Sequence, residues 1–153
     1  MLGLDDAARK SDILMLQTLL ASVYMLATKT RNFHWNVKGK EFQMLHELFG
    51  SIYSGLNDQA DEIAERIRQL DGTPIGTLND FADKSFLAES STLPASCCDM
   101  LMALINDSDK VVAQMRLVIP KAEAHKDFGT MDSITKWMQT HEKNLYFLRS
   151  HCG

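Results

Sequence analysis

Apolar residues along this chain recur at steps of three and four, the period of a helix buried on one side. From about Lys10 the series runs Ile13, Leu16, Leu20, Val23, Ala27 and Thr30, and the next step lands on His34. Leu14, Leu19 and Leu26 widen the stripe, which predicts a helix covered on more than one side. Lys38-Gly39-Lys40 places a glycine stop beside basic residues, so this helix ends near Val37. A second series opens near Glu41 with Leu45, Phe49, Ile52, Leu56, Ile63, Ile67 and Leu70, and Asp71-Gly72-Thr73-Pro74 closes it. Residues 75–92 form a connection, long for a bundle, with a short helix predicted around Asn79–Asp83. A third helix opens after Pro94 and runs to about Ile119, with Met100, Leu104, Val111, Met115 and Val118 inward. Pro120 marks its end or a kink. A polar connector at 121–129 leads to a last helix over about 130–150, with Met131, Ile134, Met138, Leu145 and Leu148 inside. Residues 1–9 are assigned to a short, poorly ordered tail.

Composition supports one all-helical domain spanning 1–153. The 153 residues are 45% hydrophobic, enough for a real core, with only 8 Gly and 3 Pro. Four long helices with one long crossover predict an all-α, ferritin-like four-helix bundle rather than a simple up-down one. No apolar run approaches about 18 residues, so no transmembrane helix and no membrane partner are expected. The start, MLGLDDAARK, lacks the layout of a signal peptide. Cys97, Cys98 and Cys152 make an odd count with two adjacent residues, a poor disulfide framework without a CxxC zinc pair. A reducing cytoplasm is the simplest setting. The net charge of −4 does not favour nucleic acid as a general partner.

The chemistry concentrates between Asn32 and Gly72. Asp61 and Glu65 stand at i and i+4 on one helix face. Each lies two residues from a core position, Ile63 or Ile67, roughly 200° around the helix, so both point away from their own bundle. His46 precedes Asp61 by 15 residues, roughly 22 Å of helix axis. His34 lies just before the Gly39 turn and His46 just after it, so an antiparallel hairpin sets the two histidines at similar depth. If all four residues serve one metal ion, they come from two chains across a two-fold axis, with two identical sites per dimer. The set holds nitrogen and oxygen donors and no thiolate, which suits iron, with zinc as a competitor. Each residue also has an ordinary explanation. Asp61 and Glu65 fit a solvated face with Glu62–Arg66 as an i,i+4 pair; His34 fits a hydrogen-bonded core histidine, His46 a surface one, and Trp35 core filling. His125, His141 and His151 have no carboxylate cluster at ligand spacing and are taken as structural.

Asn32-Phe33-His34-Trp35-Asn36-Val37-Lys38-Gly39, then Phe42, Leu45-His46-Glu47, Tyr53, Leu56 and Asp61-Glu62-Ile63-Ala64-Glu65-Arg66-Ile67, resemble the signature of the Dps family. These are DNA-protecting proteins of starved cells, also called mini-ferritins. The match is strong over the first two helices; the remainder is similar in length, helix order and the Gly72-Thr73-Pro74 link. The resemblance implies a ferritin-like bundle with a short extra helix between the second and third long ones, assembled into a hollow homo-dodecamer. It implies a ferroxidase centre at the two-fold interface, with His34 and His46 from one chain, Asp61 and Glu65 from its neighbour, and Trp35 beside them. The implied reaction oxidises Fe(II), preferentially with hydrogen peroxide rather than O2, stores ferric mineral in the cavity and protects the cell from oxidative damage.

One position departs from that pattern. Family members commonly carry an aspartate one turn after the second histidine, where this chain has Gly50. Glu47 lies about 100° away around the helix and is an imperfect substitute. A weaker or altered second iron position is therefore expected. Asp127 and Asp132 match acidic residues that line the family's three-fold pores, or else serve as ordinary helix N-terminal carboxylates. Residues 1–12 carry Arg9 and Lys10 against Asp5, Asp6 and Asp12, a net of −1. Phosphate contacts supply most non-specific affinity, so DNA binding is expected to be weak or absent. Two alternatives stand beside iron oxidation: a nucleoid-packing DNA-binding protein with incidental metal sites, and a cage whose centre Gly50 has impaired.

Overall fold

The computed structural model describes residues 2–152. It is all-helical among those residues: α1 (Asp6–Asn36), α2 (Phe42–Gln69), α3 (Leu78–Lys84), α4 (Cys97–Ala124) and α5 (Phe128–Ser150). Two helical hairpins, α1–α2 and α4–α5, pack together through α1 and α4, and short α3 rests on α1 within the long crossover. The inward series of α2 is buried throughout, from Leu45 to Leu70, and faces Leu16, Leu19, Val23, Leu26 and Phe33 of α1. Leu14 is the exception on α1: it is 66% exposed, outside the stripe assigned to it.

The helix ends show where local chemistry departs from apolar periodicity. Asp5 accepts from the Ala7 and Ala8 N–H groups at 3.0 and 3.1 Å, so α1 begins at Asp6. Residues 6–9, assigned to a loose tail, are its first turn, and Arg9 donates to the Leu70 carbonyl at 2.6 Å. Pro120 sits inside α4, which continues to Ala124 because Ala122 is fully buried and holds the last turn against the core. The 121–129 connector thus shrinks to residues 125–127. At the end of α2, Gly72 donates to the Ile67 carbonyl and Asp71 to that of Arg68, a Schellman closure. Asp71, not Gly72, takes the left-handed backbone (φ 62). Gly72 is needed for space, since a Cβ there would sit 2.9 Å from Ile67.

α1 also corrects the hydropathy expectation. It contains an 18-residue stretch apolar enough to cross a membrane by composition, 61% of it buried within the bundle. The polar residues of α1 pin the crossover instead of facing lipid. Gln17 donates to the Thr73 carbonyl at 2.7 Å and accepts from the Ile75 N–H at 2.9 Å. Ser22 accepts from the Phe86 N–H, and Lys29 pairs with buried Asp107 of α4 while donating to the Ala88 carbonyl. Tyr24 stacks on Phe81 of α3 at 4.2 Å.

Candidate metal centre

The turn between α1 and α2 is tight because Gly39 adopts φ 112, a conformation that L side chains rarely take. It folds the start of α2 back along the end of α1 and brings His34 against His46. Their rings stack at 3.8 Å with 18° between planes. His34 Nδ1–H donates to the His46 carbonyl at 2.6 Å, and His46 Nδ1–H donates to the His34 carbonyl at 2.7 Å. A carbonyl oxygen only accepts, so each Nδ1 carries a hydrogen, and in the neutral form of the ring Nε2 is the atom that keeps a lone pair for a metal. A backbone partner of this kind fixes the ring orientation of a metal-binding histidine. Phe42 stacks on the outer face of His46 at 4.9 Å, and Tyr53 tilts against His34 at 5.3 Å.

Gly50 lies directly under this pair. A Cβ there would come within 3.0 Å of His34 Cε1 and 3.1 Å of its Nδ1. The residue that lacks a ligand side chain is therefore also the one that lets the His34 ring lie on the α2 backbone.

Asp61 and Glu65 are exposed on α2, on the side opposite Ile63 and Ile67, which are fully buried. Neither has a hydrogen-bond or ion-pair partner among the described residues. Their neighbours do: Glu62 accepts from the Trp137 indole N–H at 2.6 Å, and Arg66 donates to Asp127 at 2.7 Å and to Thr130 at 3.0 Å. The Glu62–Arg66 pairing expected from spacing does not form, because each finds a partner on or next to α5. Asp61 and Glu65 are thus left without a partner among the described residues, as is exposed Asp58 one turn before them. Within one chain the histidine and carboxylate pairs stay apart: among the described residues no three His, Cys, Asp or Glu gather closely enough to hold a metal ion.

The other candidates fall as follows. Trp35 is 64% exposed, with the Arg31 guanidinium 5.1 Å from its ring, on a face adjoining His34. Asp132 is exposed and lines a surface groove with Glu62, Glu65, Lys136 and Trp137. Asp127 is buried, its oxygens taken by Arg66, the Thr130 N–H and the Thr130 hydroxyl, so within the chain it is a cap and an ion-pair anchor. His125 pairs with buried Asp12 at 2.7 Å, and burial pushes that carboxyl up. His141 is fully buried, donates from Nε2 to Gln59 at 2.7 Å, and is lowered by burial to about 4. Sequence spacing finds the four candidate ligands but misses the roles of Gly50, Phe42 and Tyr53. The signal was their spacing from His46 on α2: Phe42 and Gly50 lie four residues to either side of it and Tyr53 seven residues on.

The sequence profile of the ferritin family, described as a ferritin-like domain, matches residues 13–153. A DNA protection during starvation protein of Agrobacterium fabrum is 34% identical over 97% of this chain and 91% of its own length. An uncharacterized low temperature-induced protein of Nostoc is 35% identical over 97% of this chain and 84% of its own. The solved Dps of Vibrio cholerae superposes with a TM-score of 0.95 at 27% identity, covering 100% of this chain and 96% of the other. It is described as one of the ferritin-like diiron-carboxylate proteins. In sequence, helix order and overall fold, this chain belongs to the Dps family of ferritin-like proteins.

Proposed function

We propose that the protein oxidises Fe(II) at a centre shared between two copies of the chain and stores the ferric product inside a hollow homo-dodecamer. The observation that carries this is the reciprocal lock of His34 and His46, which stacks the two rings and engages both Nδ1 atoms with backbone carbonyls, leaving the Nε2 atoms uncommitted. Asp61 and Glu65, exposed and unpaired on α2, supply the complementary carboxylates from the neighbouring copy. Two neutral imidazoles and two carboxylates neutralise one divalent ion, and hard oxygen donors favour the ferric product. Each of two Fe(II) ions gives one electron to hydrogen peroxide, which takes up two protons and leaves as two waters. Gly50 leaves the second iron position short of a protein carboxylate. Trp35, exposed beside His34, lies near enough in sequence to border the shared centre.

Other surfaces support the assembly. Trp35, Phe42 and Met44 are exposed around the histidine pair, and Phe128, Tyr146 and Phe147 along α5, more apolar area than one soluble chain needs to show. Asp132 is the better pore candidate, since Asp127 is already engaged. The groove that Asp132 shares with Glu65 gives an entering cation acidic partners on the way to the centre. Protection of DNA is then chemical, by removing iron and peroxide in the cytoplasm. The N-terminal cation Arg9 is spent inside the fold on the Leu70 carbonyl and Asp6.

The test is anaerobic loading of the apo protein with Fe(II), addition of peroxide, and ferric absorbance against an Asp61→Ala/Glu65→Ala variant. Fast oxidation in the native protein, lost by more than tenfold in the variant, is expected. Equal slow traces would replace this proposal with a cage lacking a working centre.

A further inference from the structure

Phe42, His46, His34 and Tyr53 form one column of rings along the first half of α2. Successive centroids are 4.9 Å, 3.8 Å and 5.3 Å apart, all within contact range for aromatic pairs. α2 supplies three of the four rings, and α1 threads His34 between His46 and Tyr53. Gly50, which lies between those two on α2, leaves the room for it: a Cβ there would sit 3.0 Å from His34 Cε1. The histidines hold the metal in the function proposed above, and Tyr53, at the inner end of the column, has no part in it.

Hydrogen peroxide accepts two electrons, and one Fe(II) gives one. The second iron position is short of a carboxylate at Gly50, so a first ion reacts with no second ion held beside it. The oxygen left by O–O cleavage then takes its electron from an oxidisable neighbour. Trp35 is 64% exposed and has the Arg31 guanidinium 5.1 Å from its ring centroid, which opposes the positive charge an indole acquires on losing an electron. Tyr53 is half-buried and touches the His34 ring, and its phenol sheds a proton with the electron and stays neutral. The chain has two other tyrosines. Tyr24 stacks on Phe81 of α3, and Tyr146 stands exposed on α5.

We propose, on the footing of the iron-oxidising centre above, that Tyr53 supplies the second electron to peroxide through His34 when a single Fe(II) occupies that centre. Fe(II) gives one electron, the O–O bond breaks, and one oxygen leaves as hydroxide, which takes a proton from solvent. The other oxygen takes the electron and proton of the Tyr53 hydroxyl together with the hydrogen it already holds. The products are Fe(III), two waters and a neutral Tyr53 phenoxyl radical. A second Fe(II) entering the centre returns the electron, and solvent returns the proton. The sum is two Fe(II) oxidised per peroxide, with no hydroxyl radical released.

The assembled protein is loaded anaerobically with one Fe(II) per centre, mixed with stoichiometric peroxide, freeze-quenched and read by electron paramagnetic resonance. The expected result is ferric iron together with a tyrosyl signal that narrows in protein made with ring-deuterated tyrosine and decays on adding a second Fe(II). Tyr53→Phe keeps the ring against His34. It should bind Fe(II) unchanged by anaerobic calorimetry, lose the tyrosyl signal and raise nitrone-trapped hydroxyl radical several-fold. Tyr146→Phe should keep the signal. Ferric iron without a tyrosyl signal, or a signal that survives Tyr53→Phe, would overturn this inference and leave the proposed function standing. Absence of ferric iron in the native protein would overturn both.

Discussion

At the scale of single residues, Gly50 decides most. Replacing it by Ala gains about 1 kcal/mol of helix propensity but brings a methyl group to 3.0 Å from the His34 ring. The ring must yield by a few tenths of an ångström, which loosens its stack on His46 and misaims Nε2. Gly50→Ala should therefore change urea stability by less than about 1 kcal/mol while weakening anaerobic Fe(II) binding several-fold by calorimetry. Unchanged binding would show that the ring tolerates the contact. His141 makes a separate prediction. Burial lowers it to about 4, so between there and about 6.5 the unfolded chain binds a proton that the folded chain refuses. Stability from this group is fully present above about 6.5 and is lost as pH falls toward 4, by about 3 kcal/mol. A His141→Gln variant should show a flatter decline over that window in urea titrations. That the four residues belong to one centre rested on the family resemblance; the pairing of the histidines and of the carboxylates as such was legible from spacing. The Nδ1 lock was not, because its acceptors are backbone carbonyls that only the closed hairpin brings within reach.

Among the elements, the junction of α2 with the start of α5 rests on Arg66. Its guanidinium spans Asp127 and Thr130 and lies over Gly129, where a Cβ would come within 2.9 Å of it. Arg66→Ala leaves the buried Asp127 carboxylate without its ion-pair partner, so a loss of about 3 kcal/mol is expected in urea unfolding. A loss under about 1 kcal/mol would mean that Thr130 alone satisfies Asp127. The same junction shows what periodicity could and could not reveal. The four long helices and the short one in the crossover follow from apolar steps and from the Gly and Pro stops. The first turn of α1 was missed because its determinants are an Asp5 cap and an Arg9 side chain reaching Leu70, 61 residues away in sequence. The run of α4 past Pro120 was missed because it depends on Ala122 burying against the core.

On the scale of the whole molecule, the chain ends short of its own chemistry: two histidines at one end of α2, two free carboxylates about 22 Å further along it. Large apolar side chains remain exposed on α1, α2 and α5. Both facts are what the proposed assembly of copies would complete. For DNA, no electrophoretic shift is expected near neutral pH; a shift at low salt that vanished on deleting residues 1–10 would contradict this. The shared centre is tested most directly by mixing two inactive chains. One carries His34→Ala/His46→Ala and the other Asp61→Ala/Glu65→Ala, each inactive alone, co-assembled in equal amounts. If histidines and carboxylates come from different copies, a random mixture rebuilds about a quarter of the centres, and peroxide-driven Fe(II) oxidation returns to about that fraction of the native rate. If co-assembled chains, verified by mass, stay as inactive as either parent, the four residues do not form one centre between copies.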